Sequence, residues 1–387
     1  MTKIETLLKT LCPNGVEYKK IKDVYKRLRG MPITAGKMQE INNPDGNVRI
    51  FAGGQTVVNA FEKDIVGANI INVPAVIVQS RGLIDFLYYE KPFTFKNEMW
   101  AYTADNKISV RYLFHLLKSK VSSFRKTAAE KGGLPQISLP VTEECLIPVP
   151  PLAVQGEIVR ILDNFTELTA ELTAELTARK KQYEFYRNHL LSFDDDVPRV
   201  KLREIGPVCM CKRIIKEQTN RVGGIPFYKI GTFGKTADSY ISKELFDEYR
   251  KKYNYPRKGS VLISAAGTIG RIVVFDGKPA YFQDSNIVWI QNDETKALNA
   301  YLAYCYTLQP WNISQGGTLP RLYNDDILKA KIPLPSLSEQ ERIVRILDRF
   351  DALCNDISTG LPAEIAARQR QYEHYRDELL NFEKVAL

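Results

Sequence analysis

Histidine and cysteine are scarce in this chain, and the scarcity removes most metal and nucleophile chemistry at once. The three histidines, His115, His189 and His374, stand far apart in 387 residues, and the ordinary role for each is a satisfied or solvated side chain. Six scattered cysteines suit a reducing compartment better than a disulfide framework. Cys209 and Cys211 make one C-x-C with no second pair or nearby His, so packing rather than zinc binding is expected. The chain has no G-x-x-x-x-G-K-[ST] phosphate loop and no G-x-G-x-x-G fingerprint. "NNPD" at 42–45 lacks the aromatic residue of an Asn-Pro-Pro-Tyr loop. No apolar run approaches the ~20 residues of a membrane span. Met1–Thr10, with Lys3, Glu5 and Lys9, has no secretory apolar core. A cytoplasmic protein with no membrane partner and no bound metal is expected. One nuclease-like pattern exists, Asp284 with Glu294-Thr295-Lys296, but "QNDETK" reads more simply as a polar turn before a helix.

What is present is positive charge. Lys and Arg number 54 against 45 Asp and Glu, a formal net charge of +9 with pI near 9.0. Such a surplus suits a polyanionic partner, because each neutralised phosphate releases counterions. Hydrophobic content of 44% and charged content of 26% are those of a globular protein. The length calls for two or more domains.

The chain is also written twice. "IPVPPLAVQGEIVRILDNF" (147–165) realigns with "IPLPSLSEQERIVRILDRF" (332–350) at an offset of 185, and "RKKQYEFYRNHLLSF" (179–193) with "RQRQYEHYRDELLNF" (368–382) at 189. More faintly, "AVIVQSRGLI" (75–84) lies under "SVLISAAGTI" (260–269), and "GGLP" (132–135) answers "GGTLP" (316–320). Phe93, Asn97 and Trp100 fall under Phe282, Asn286 and Trp289 at 189. The layout is a variable block at 1–146, a helical block at 147–197, a variable block at 198–331 and a helical block at 332–387.

The helical blocks carry a heptad-like stripe. It runs Ile161, Phe165, Leu168, Leu172, Leu176, Arg179, Tyr183, Tyr186, Leu190 in the first, with one extra four-residue step at Leu172–Leu176. In the second it runs Ile346, Phe350, Leu353, Ile357, Leu361, Ile365, Arg368, Tyr372, Tyr375, Leu379, with two extra fours. The extra four arises because Thr169–Leu172 is repeated as Thr173–Leu176, a stutter that unwinds a supercoil locally. Gly360 and Pro362 should kink or restart the second helix, and Ser338 is its candidate N-cap. Helices of about 40 residues cannot be buried by one variable block. Mutual packing holding two similar domains apart is the economical solution; separate packing of each helix on its own domain is the other. The variable blocks read as α+β: "VVNAF", "AVIV", "VLIS", "RIVVF" and "NIVWI" are strand-like, while 108–119 and 298–308 are amphipathic helices.

The paired "QxxIVxILDxF … QYExYRxxLLxF" blocks, each after an Ile-Pro-x-Pro segment, resemble the specificity subunit of type I restriction–modification enzymes, and the Thr-Ala-Glu-Leu repeat resembles the spacer of one subgroup. The resemblance covers essentially the whole chain. "IPFYKIGTFGK" (225–235) and "GSVLISAAGTIGR" (259–271) look like its second target-recognition domain; "VPAVIVQSRGLID" in the first half lacks the Gly-Thr-Ile-Gly. The resemblance implies an α+β fold of two similar target-recognition domains, spaced by two long helices in an antiparallel coiled coil and related by a pseudo-twofold repeat. It implies that each domain reads half of a bipartite, asymmetric site in double-stranded DNA. The helices would dock two methyltransferase (modification) subunits, with restriction (translocase) subunits joining the full complex. The chain itself would be non-catalytic and cofactor-free, with S-adenosylmethionine, ATP and Mg held by partner subunits. Gln79, Arg81, Asn97, Ser264, Thr268, Gln283 and Asn286 are the candidates to read base edges. Lys37, Lys96, Lys229, Lys235, Arg271 and Arg321 are candidates for phosphate contact. The competing reading is a coiled-coil interaction scaffold without DNA specificity.

Overall fold

The computed structural model describes residues 3–54, 56–65, 67, 69–129, 133–313 and 321–384. Gly132 and the "GGTLP" stretch at 316–320 lie outside the described residues. The chain divides into two compact units. One joins the residues up to Thr173 with those from Glu364 onward; the other is Ala174–Ala363.

Both units are α+β and built on one plan. In the first, a four-stranded antiparallel sheet runs in the order Lys26–Arg29, Trp100–Thr103, Ala75–Gln79, Asp85–Tyr89. In the second, the order Val208–Cys209, Ile287–Ile290, Val261–Ser264, Ile272–Val274 repeats it. Each unit adds a three-stranded sheet whose last strand pairs in parallel: Phe93–Phe95 on Val48–Phe51, and Tyr281–Phe282 on Ile225–Tyr228. Each also closes with a two-stranded ribbon, Tyr18–Lys20 with Leu146–Pro148, and Arg199–Lys201 with Lys331–Pro333. The β-branched runs "AVIV" and "VLIS" are the central strands and are buried on both faces.

Strand register corrects one alignment made from the sequence. Ile77 pairs with Ala101, and its counterpart Leu262 pairs with Trp289. Trp289 is therefore the equivalent of Ala101, not of Trp100, and the local offset is 188 rather than 189. The distinction is physical, because a one-residue shift sends a strand side chain to the opposite face. Trp100 packs on the helix side of its sheet and donates from Nε1 to Thr142 at 3.0 Å. Trp289 packs on the other side, among Phe275, Tyr281 and Phe282.

The helix side of each sheet receives a helix, Lys107–Ser119 or Asn299–Thr307, and then the start of a long helical segment; the first is amphipathic, whereas the second is apolar around most of its girth and does not have the two-sided pattern expected of 298–308. The first such segment is a single helix of 39 residues, Leu152–Leu190. Its opening turns bury Val154, Ile158 and Leu162 against their own unit's core. The second is broken: Leu337–Asn355 and Leu361–Leu379 are separate helices of 19 residues. Its N-cap is Ser336, accepting from Glu339 N at 3.4 Å, so Ser338 stands two residues too late. At the break, Asp356 accepts from Ser358 and Thr359, and Gly360 sits where a Cβ would meet Ala352 O at 2.4 Å.

Within each unit the helical segments pair antiparallel. In the first, Phe165 stacks on Tyr375 with centroids 5.4 Å apart, while Leu379 and Phe382 join the core that holds Leu162 and Ile158. In the second, Tyr186 stacks on Phe350 at 5.4 Å, and Leu190 packs with Leu347 and Ile343. Both packings weighed from the sequence are thus present along one helix. It starts on its own domain and continues against a partner helix. A pair of helices has one contact face, and the seam is accordingly half-buried at Ile161, Phe165, Leu168, Leu172, Leu176, Tyr183, Leu190, Ile346, Phe350, Tyr372 and Leu379. Tyr186, Leu353 and Tyr375 keep more surface. Ile357 departs from its expected seam position: it lies in the turn between the two helices and is 85% exposed.

Candidate nucleic-acid interface

In the second unit the Gly-Thr-Ile-Gly loop links Val261–Ser264 to Ile272–Val274. Gly267 and Gly270 take φ of 64° and 75°, a region open to glycine at no steric cost. Ser264 fixes this turn from inside. It is 1% exposed, donates from its hydroxyl to Thr268 O at 2.5 Å and accepts from Arg271 N at 2.8 Å. Ser264 is thus a framework residue and not the base reader expected from the sequence, because its hydroxyl is committed and screened from solvent. Thr268, at the loop tip, is exposed.

Three further segments converge on this loop. Ala265 N donates to Asn286 O at 2.8 Å, and Arg321 bridges Ala266 while its Nη2 donates to Ser285 O at 3.0 Å. Gln283 Oε1 accepts from Ile230 N at 2.9 Å, tying in Lys229. Arg271 Nη1 donates to Phe233 O at 2.8 Å, close in sequence to the exposed Lys235. All eight second-unit candidates therefore belong to one group of connected loops. Arg213, Lys216, Lys229, Gln283, Asn286 and Arg321 line a cleft of about 570 Å³ there.

The first unit has the same scaffold with different side chains. Arg81 is exposed and bridges Gln136 as Ala266 bridges Arg321. Gln79 is 5% exposed and donates to Gly54 O at 3.0 Å, so it too holds a loop rather than facing outward. Asn97 is exposed, whereas Lys96 pairs with Glu98 at 3.3 Å. Lys37 sits on the short helix Ala35–Glu40 and pairs with Glu40 at 2.7 Å.

The nuclease-like residues do not converge. Asp284 accepts from Arg213, Glu294 accepts from Asn299 N, and Lys296 reaches Glu204 O at 3.4 Å. Among the described residues no group of three His, Cys, Asp or Glu side chains could hold a metal ion. Cys209 and Cys211 are buried free thiols in the aromatic core, and burial pushes the Cys211 thiol up to about 12. No helix among the described residues is long and apolar enough to cross a membrane.

In each unit the helix on the sheet is tied to the long helical segment by an equivalent contact. His115 Nε2 meets Asp163 Oδ1 at 2.8 Å, and Arg111 Nε donates to the same carboxylate at 2.8 Å. In the second unit Tyr304 donates to Asp348 at 2.6 Å. Burial holds His115 below the ordinary histidine value, against the pull of Asp163. Burial alone would raise the Asp163 value, but His115 and Arg111 outweigh it and the net shift is downward. Sequence reading missed Arg111, Arg213 and Lys216. The basic run "CKRIIK" at 211–216 was the available signal for the last two.

Comparison with known proteins places this geometry. The family model for the type I restriction modification DNA specificity domain matches twice, at residues 13–179 and 194–367. A putative type I restriction enzyme specificity subunit from Haemophilus influenzae is 52% identical over 298 residues, covering 75% of this chain and 77% of that one. The EcoR124I/EcoR124II specificity subunit of Escherichia coli is 31% identical over 371 residues, 87% of each chain. Among solved structures, the S subunit of a type I restriction–modification system from M. genitalium shares the fold, with a TM-score of 0.61 at 14% identity over 95% of this chain and 96% of that one.

Proposed function

The chain belongs to the type I restriction–modification DNA specificity family, and from that premise we propose that it is the non-catalytic subunit through which such a complex reads DNA. Each unit reads one half of a bipartite, asymmetric site in double-stranded DNA. The observation that carries this is the duplicated loop cluster: one scaffold, fixed by equivalent bridges at Arg81–Gln136 and Ala266–Arg321, presents different polar side chains in the two units. Duplicated readers with different faces suit two different words, so the site need not be palindromic. Thr268, Asn286, Asn97 and Arg81 are exposed or half-exposed and are the base-edge candidates that remain. The helical segments dock two modification subunits, which bring S-adenosylmethionine and methylate adenine. Restriction subunits bring ATP and Mg to the full complex, and the cytoplasm is where it works.

The test uses the chain alone and then in complex. Purified alone, it should transfer no methyl group from labelled S-adenosylmethionine and cut no DNA with Mg present; either activity refutes the non-catalytic role. Assembled with modification subunits, it should prefer one duplex over random duplexes at several salt concentrations. Equal binding of all duplexes would leave a protein-bridging scaffold instead.

A further inference from the structure

Arg213 and Asp284 form a pair that neither stability nor phosphate binding explains. Arg213 Nε donates to Asp284 Oδ2 at 3.0 Å; the arginine side chain is 72% exposed and the aspartate 16%. An ion pair with one partner this exposed contributes little to stability. As a phosphate anchor it is also poor, because the neighbouring carboxylate cancels the guanidinium charge and would itself repel phosphate.

The pair is nevertheless held with care. Tyr281, buried in the aromatic core, donates its hydroxyl to Lys212 O at 3.1 Å and so pins the backbone beside Arg213. On the other side Ser285 takes φ of 59°, a left-handed conformation uncommon away from glycine. That turn is fixed by Asn286 N donating to Asp284 O at 2.6 Å and by Arg321 Nη2 donating to Ser285 O. Strained backbone persists only where its surroundings over-determine it, and such strain gathers at functional positions.

With Nε committed to Asp284, the guanidinium is oriented, and neither Nη has an acceptor among the described residues. The four remaining N–H groups form an end-on fork facing the cleft that Lys216, Lys229 and Asn286 also line. A planar fork of two donors matches two adjacent acceptors. On a DNA edge that pattern is guanine O6 and N7 in the major groove. We propose that Arg213, oriented by Asp284, reads a guanine in the half-site belonging to the second unit. This rests on the DNA-reading role argued above and adds a residue, a base and a groove to it.

The first unit supports the assignment by contrast. After the equivalent strand, Lys26–Arg29, the chain runs Gly30-Met31-Pro32-Ile33 and carries no cation there. Its acidic loop residue, Glu98, pairs instead with Lys96 two residues away. A pair present in one unit and absent from its duplicate is what two different words require.

The experiment uses the assembled complex with its modification subunits. The wild-type word is first read from methylated adenines in the genome. Binding is then measured on duplexes with each half-site position substituted singly, for wild type, Arg213→Ala, Arg213→Lys and Asp284→Asn. Arg213→Ala should lose about tenfold to a hundredfold of discrimination at one G·C pair. The other half-site and the salt slope should stay as in wild type. Arg213→Lys keeps the ion pair, so it serves if the alanine variant fails to fold. It should lose most of that discrimination, because its single ammonium is engaged by Asp284 and no second nitrogen remains to face the base. Asp284→Asn should weaken discrimination at that position alone. Uniform loss across all sequences with a shallower salt slope would overturn the proposal in favour of phosphate contact. Unchanged discrimination, or a wild-type word with no G·C pair, would overturn it as well. Absence of any sequence preference in the wild-type complex would instead refute the DNA-reading role beneath it.

Discussion

Removing residues 173–176 deletes one Thr-Ala-Glu-Leu copy from the single 39-residue helix, and helix geometry sets the consequence. Four residues at 1.5 Å each shorten the helix by about 6 Å and turn its C-terminal part by about 40°. The local cost should be small. Leu168, Leu172 and Leu176 are only half-buried, and the Glu and Ala positions are exposed. Each threonine bonds within its own helix: Thr166 to Leu162 O, Thr169 to Phe165 O and Thr173 to Thr169 O, at 2.7–2.9 Å. After the deletion Thr177 and Ala178 take the places of Thr173 and Ala174, and the stripe runs Leu172, Arg179, Tyr183 with the extra four-residue step gone. The opposing helical segment is already interrupted at Asp356–Gly360, a turn that offers slack. The boundary between the two units falls inside the repeat, at Thr173–Ala174. With about 3.4 Å per base-pair step, the non-specific gap in the DNA site should shorten by about one or two base pairs, with both half-site words unchanged. Methylome sequencing of cells carrying the deletion reads this directly. An active enzyme with the original gap refutes the reasoning that helix length sets the gap, and altered words would place the repeat inside a reading domain.

Two other outcomes test the fold beneath the site. Gly360→Ala places a methyl group 2.4 Å from Ala352 O and 2.7 Å from Asp356 O, so the helix break must shift; thermal denaturation should show a loss of about 1–3 kcal/mol, and a wild-type melting temperature would mean that the break is pliable. Protonating the buried His115 would create an Nδ1–H with no acceptor among the described residues, consistent with its value being held down by burial. The unfolded chain binds that proton near pH 6.5 and the folded one only lower. Stability is therefore complete above about pH 6.5 and declines as pH falls through the window beneath it. Asp163, also shifted downward, adds the same sign at lower pH. His115→Gln should flatten the melting-temperature slope between about pH 7 and 5.5, and an unaltered slope would show that the folded and unfolded chains bind the His115 proton equally, refuting the downward shift.

The sequence alone determined the duplication, the α+β composition and the long helices, because each is written in local periodicity. "AVIV" and "VLIS" became central strands, and the spacing of apolar residues from Ile161 onward became one helix through Leu190. The break at Gly360 and Pro362 was equally local, since backbone conformation there is set by the residues themselves. Side-chain commitments were not legible. Ser264 and Gln79 looked like surface polar groups, yet both face inward: Ser264 turns back on the backbone of its own loop at Thr268 and Arg271, and Gln79 reaches Gly54, which folding brings near. The Trp100–Trp289 match failed by one residue because register is decided by cross-strand pairing, which no run of residues encodes by itself. Ile357 fell on the stripe by count, but the stripe has no meaning once the helix carrying it has ended. Arg213 and Asp284 are 71 residues apart, and their 3.0 Å contact exists because the sheets of the second unit bring both chain segments to one cleft. Periodicity is a property of neighbours along the chain, whereas a reading site is a property of neighbours in space.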